Sequence, residues 1–447
     1  MKFSPFIVTF AIIYSASILL QATVLDTNQL RSGLSVNNFP TTLATVSSDK
    51  SDDTKFWYWL NLARLQQANG DFTSSIQSFE YAYAILDEYE NRATISLRNI
   101  GSFLGSSFMS KGSETYYGKG YERTSMHTLN ALNYLLLGDF ENASVEMRRM
   151  EQRQEFWLKE SEVKIKEAAK KKEEARQQGS DTSRIPQSYS LASMLEDDDV
   201  RALVNNYQDP FSYTLSSIIL DVSGQSSASG NSSQISLKRA LALNPDVSKV
   251  FVNLPNLKPK MDVTVIVLSG IAPAMKIEKI RFPIFSGANY TSIDLPSYTA
   301  PKNDISSVTI TTDQLQLQPP RLLKTDLMAY KTLKDELPGE LAKSVVRATT
   351  KAIAAKQASD HFGNLGGLVA SLVFDVGSSY ADSGFRNWEM MPNSGYIAKF
   401  EAIKNSTVTI KLNNTKESFV LPSDKKGTIV LISYLTPDNI RIDHVTY

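Results

Sequence analysis

The sequence predicts an α+β multidomain protein: an N-terminal domain of helical repeats over residues 53–245, then a β-rich domain over 246–447 with a helical insertion at about 326–380. Three observations predict it. The string Asn69-Gly70-Asp71-Phe72 returns as Leu137-Gly138-Asp139-Phe140, with small and aromatic residues in matching places around each copy. Beyond Pro245 the apolar period shortens from that of a helix to the alternation of a strand. At 447 residues, 42% hydrophobic and 21% charged, the chain has material for about three globular units and does not read as disordered.

The N-terminus comes first. Lys2 precedes an apolar stretch from Phe6 to Leu20, and Gln21-Ala22 leads into polar sequence. That layout reads as an export signal over residues 1–22, since a membrane span needs about 20 apolar residues. The alternative reading of the same segment is a retained anchor. Residues 23–52, rich in Ser, Thr and Asn, read as a linker. With no Cys, the chain has no disulfide framework, thiolate zinc site, Cys nucleophile or lipid-bearing Cys. The sequence is compatible with peripheral membrane association without a lipid-bearing Cys.

The repeats follow. Gly70 and Gly138 stand two periods of about 34 residues apart, the period of the tetratricopeptide repeat. Trp59, Leu62 and Ala63 precede the first turn, and Phe72, Ile76, Phe79 and Ala82 follow it. Ala131 and Tyr134, then Phe140 and Ala143, occupy the same roles in the second copy. A third copy has Phe211–Val222 as its first helix, opened by Asp209-Pro210 as cap and first-turn proline. It ends at Ala240-Leu241-Ala242-Leu243-Asn244-Pro245. After the second copy, Glu-before-Lys pairs such as Glu160/Lys164 and Glu162/Lys166 predict a charged, solvated helical arm over about 151–178.

In the β-rich part, Val263–Leu268 is a run of buried-strand type, and Ile280, Phe282 and Ile284 alternate with other residues. Val408, Ile410 and Leu412 alternate likewise, and Thr428–Tyr434 is a further strand candidate. Gly363, Gly367 and Ser371 lie in an apolar stretch that reads as packing inside the domain.

Signatures of chemistry are scarce. The three histidines, His127, His361 and His444, have no companions at metal-ligand spacing, so no metal site is expected. No phosphate loop, dinucleotide fingerprint or nucleophile elbow occurs, and no cofactor is expected. Equal numbers of basic and acidic residues, 47 each, give no field that would draw the chain to nucleic acid.

Two further strings are more specific. Tyr117-Gly118-Lys119-Gly120-Tyr121-Glu122-Arg123 leads to His127 and the second turn, and Val346-Arg347-Ala348-Thr349-Thr350-Lys351 precedes Arg386-Asn387-Trp388 and Met391-Pro392. In this order, over roughly residues 53–400, the chain resembles an uncharacterised family of bacterial envelope proteins with tetratricopeptide-like repeats, most of which look like lipoproteins. The resemblance implies export to the periplasmic side and association with cell-wall maintenance, and implies no established activity. Thr23 stands where the family's acylated Cys would be.

The expected function is a non-enzymatic envelope scaffold that binds a protein or peptide partner. Repeat positions put Trp57, Leu60, Arg64, Gln67, Ser125 and Thr128 on its docking face. Tyr117, Tyr121, Glu122, Arg123 and His127 form a candidate loop site, and Arg386 with Trp388 a candidate C-terminal site. The alternatives are a peptidoglycan-binding protein or cell-wall-acting enzyme using the loop site, and a subunit of an envelope export assembly.

Overall fold

The computed structural model describes residues 27–49, 55–98, 116–177, 188–224, 232–254, 259–284, 289–342, 344–345 and 386–447. The expected signal at 1–22, the 346–351 string, His361 and the 363–380 stretch lie outside them. Helices α1 (Thr27–Ser32) and α2 (Phe39–Ser48) open the described chain. They correct the linker expected at 23–52. Leu30, Leu34, Phe39 and Val46 are buried, Arg31 NH1 donates to Ala272 O at 2.7 Å, and Tyr58 OH donates to Val46 O at 3.1 Å. A few apolar side chains suffice to seat a polar segment on a core already present.

Three helical hairpins follow, each packed helix against helix. They are α3 (Phe56–Ala68) with α4 (Phe72–Arg98), α5 (Gly120–Leu136) with α6 (Phe140–Gln177), and α9 (Pro210–Val222) with α10 (Ser232–Leu243). The short α7 (Ala192–Leu195) and α8 (Asp198–Arg201) link the second to the third. The repeated Gly-Asp-Phe string closes two of the turns in one way. Gly70 and Gly138 take φ of +79° and +77°, and their amides donate to Gln67 O and Leu135 O. Asp71 and Asp139 then donate backbone N–H to Gln66 O and Tyr134 O, completing a left-handed helix stop. Each Asp also caps the next helix, accepting from Ser74 N or Asn142 N at 3.1 Å.

The arm expected over 151–178 is corrected in its first half. Gln154, Trp157 and Glu160 of α6 are buried, and Glu160 pairs with Arg123 at 2.5 Å. Only the later part behaves as a solvated helix, with Lys170–Glu174 at 3.7 Å and Arg176–Glu173 at 3.0 Å on exposed side chains.

A 3-10 turn (Pro245–Val250) leads into the strands. The largest sheet runs β1 (Phe251–Val252), β8 (Ser394–Ile403), β2 (Lys260–Ser269), β11 (Gly427–Thr436), β12 (Asn439–Thr446), with β7 (Arg321–Lys324) also on β8. β2 is antiparallel to β8 and parallel to β11, and β11 is antiparallel to β12. A second sheet runs β10 (Thr415–Val420), β9 (Thr407–Leu412), β5 (Val308–Thr311), β6 (Gln316–Leu317). β3 (Met275–Ile284) and β4 (Asn289–Tyr298) form a hairpin, and helix α11 spans 325–342.

Strand alternation puts the central sheet between two cores. Val263, Val265 and Val267 face Val308, Ile310, Val408 and Ile410 of the second sheet. Ile266 and Leu268 point the other way, into a core shared with the helices. Gly395 lets α9 sit close, because a Cβ there would stand 2.8 Å from the Phe211 ring. The shared core runs from Leu30 through Trp57, Leu132 and Phe211 to Ile397 and Leu431, and so crosses residue 245.

Candidate functional site

The structure brings members of three expected residue sets to one seam. Segment 386–391, from the C-terminal part, lies between the first helices of the first two hairpins. Trp57 of α3 donates its indole N–H to Asn387 O at 3.1 Å and to the Glu389 carboxylate. Asn61, one turn on, accepts from Met390 N at 3.0 Å. The guanidinium of Arg386 lies over the Trp57 ring, 4.6 Å from its centroid. Trp388 is 0% exposed, sets an edge against Phe79, and donates its backbone N–H to Glu122 Oε1 at 2.8 Å. Asn387 then ties the segment to the sheet side, donating to Pro273 O at 2.7 Å and accepting from Met275 N at 2.9 Å.

Glu122 is the hinge of this seam. Its other oxygen accepts from Lys119 N at 2.5 Å and Tyr116 OH at 2.7 Å. Burial pushes its carboxyl above the ordinary value although these bonds pull it down. Burial, with the neighbouring Glu122 charge, also raises the Tyr116 and Tyr121 hydroxyls. Next along α5, Arg123 pairs with Glu160 and donates from Nε to Tyr117 O at 2.9 Å, while Tyr117 stacks on Tyr89 with centroids 4.1 Å apart. His127 packs between the rings of Tyr83 and Trp157, with Nδ1 2.8 Å from Glu146 Oε2. Burial opposes ionisation of Glu146, but its bonds to His127 and Arg149 hold the carboxyl below the usual range.

These contacts correct the expected docking face. Trp57, Leu60, Arg64, Gln67, Ser125 and Thr128 are all buried, so none is presented to a partner. Gln67 Nε2 bonds to Leu129 O and Asn133 Oδ1, both at 2.7 Å, and Thr128 Oγ1 donates to Ser212 Oγ at 2.7 Å. Arg64 is 1% exposed, donates to Gln67 Oε1 at 3.2 Å, and burial lowers its pKa to about 10. The loop set is likewise spent internally: Tyr121, Glu122, Arg123 and His127 are buried and Tyr117 is half-buried.

Sequence reasoning missed Asn61 and Glu389, which complete the seam, and a second place altogether. Asp304, Ser306, Ser307, Gln318, Arg321 and Tyr396 help to line a cavity of about 570 Å³ between the two larger sheets. No local motif marks these residues, which come from the approach to β5, the crossing from β6 to β7, the start of β7, and β8. Among the described residues, no group of three or more His, Asp or Glu side chains is placed to hold a metal ion. Among them too, no helix is long and apolar enough to cross a membrane. No family model, curated protein or solved structure matches the chain.

Proposed function

We propose that this chain is a non-enzymatic scaffold of the bacterial cell envelope, with hairpins of the tetratricopeptide type, that binds a protein or peptide partner. The observation that carries the reading is the seam itself. Its charged and aromatic groups are bonded to one another across 386–391, which is how a chain makes one rigid body of two parts rather than how it poises groups for reaction. A rigid body loses little entropy when a partner lands on it.

With the first-helix face buried, the contact surface moves to the outer side of the first hairpin. There Tyr81 of α4 is 57% exposed and stacks on Trp59 with centroids 4.5 Å apart. Exposed aromatics of this kind anchor protein interfaces, because a rigid ring buries much area at small entropic cost. Placement in the envelope rests on the Lys2 to Ala22 layout.

The test is site-specific photocrosslinking in intact cells. A crosslinker at Tyr81 is expected to give a discrete protein adduct, and one at Val420, which is 68% exposed on β10, is not. Equal labelling from both positions, or none from Tyr81, would overturn the reading.

A further inference from the structure

We propose that the cavity beside Arg321 binds a neutral saccharide of one or two rings. The volume, about 570 Å³, lies within the range of small-molecule sites. The charges of the lining decide the ligand class. Arg321 NH2 donates to Asp326 Oδ1 at 2.6 Å and stands 3.9 Å from Asp304 Oδ2. The guanidinium therefore already faces two carboxylates, and an anionic ligand would add a third like charge.

A cation fares no better. Asp304 Oδ1 accepts from Ser269 Oγ at 2.6 Å and Ile305 N at 3.0 Å, and Oδ2 from Asn393 Nδ2 and Ser394 Oγ, both at 2.7 Å. Both oxygens are saturated, leaving no lone pair for an ammonium or a metal ion.

What the lining still offers is neutral. Arg321 Nε is a buried donor with no partner among the described residues. Gln318 is exposed and brings both a donor and an acceptor. The Tyr396 hydroxyl donates to Ile305 O at 3.1 Å, and Ser306 Oγ donates to Asn413 Oδ1 at 3.0 Å, so each can still accept. Spare donors beside spare acceptors suit groups that do both. Sugar hydroxyls are such groups. The site stands apart from the scaffold reading, since it shares no residue with the seam or with Tyr81.

The experiment is isothermal titration of the full chain with maltose and N,N′-diacetylchitobiose, with glucuronate and spermidine as charged arms. At least one disaccharide is expected to bind with Kd of about 1 mM or tighter. Gln318→Ala and Arg321→Met should each weaken it about tenfold, the worth of one good hydrogen bond. Absence of binding by both disaccharides overturns the proposal, as does tighter binding of either charged probe. Unchanged affinity in Gln318→Ala overturns it as well. That variant alters an exposed side chain, so it decides the matter if Arg321→Met fails to fold.

Discussion

Glu122 shows how much one carboxylate can hold together. Its two oxygens accept from three donors, Trp388 N on one side and Lys119 N and Tyr116 OH on the other. An amide of the same shape cannot do this. If its oxygen turns to Lys119 and Tyr116, its NH2 meets the Trp388 N–H, donor against donor. Glu122→Gln is therefore expected to destabilise the protein by about 1–3 kcal/mol, read as a lower urea midpoint at unchanged slope. A midpoint equal to the parent's would mean the seam is not held by this carboxylate. By sequence, Glu122 and Trp388 belong to two separate candidate sites. Their partnership was not legible there, because the bond joins residues 266 positions apart and no local rule reports it.

Among the elements, helix starts and stops were the most legible features, because short-range chemistry sets them. Gly-Asp-Phe encodes a stop, a cap and a first apolar residue in consecutive positions, and Asp209-Pro210 encodes a start. Asp209 carries a second consequence. It accepts from Ser212 N and Ser212 Oγ, both at 2.7 Å, yet burial outweighs these bonds and raises its pKa from 3.8 to about 6. The folded chain then holds this proton more tightly than the unfolded chain. Its contribution to stability is fully present below pH about 4 and is lost as pH rises through 6. Asp209→Asn keeps an oxygen for the Ser212 amide and removes the titration. Urea unfolding between pH 4 and pH 7 should show stability falling less steeply in that variant than in the parent. Parallel profiles would show that Asp209 does not carry the slope. What stayed hidden at this scale was the face each helix buries: repeat positions put Arg64 and Gln67 of α3 on a docking face, but they and Asn61 are inside.

For the molecule as a whole, the described chain is helical up to Leu243 and turns to strands, with helix α11 among them, after Pro245, but that change does not mark where the packing ends. Leu30, Trp57, Phe211 and Leu132 from the helical side share one cluster with Ile266, Ile397 and Leu431 from the sheet. Periodicity reports which residues face inward; it is silent on which element they meet. A core laid across both parts couples their stabilities, because opening either one exposes apolar surface of the other to water. Segment 386–391 strengthens the coupling, since withdrawing it would strip bonds from α3, α5 and the Pro273–Met275 stretch together. The slowest-exchanging amides of β2, β8 and β11 should therefore open with the same free energy as those of α3 and α5 in native-state hydrogen exchange on the full chain. Two well-separated free energies, one for the helices and one for the sheet, would mean that the halves fold independently and that the seam is a contact between finished domains. A single value would also explain why polar groups are tolerated at its centre: Glu122 and Asn61 each accept from segment 386–391, and Glu389 of that segment accepts from Trp57 and Asn61 of α3, so the cost of burying them is offset only when the helices and that segment come together.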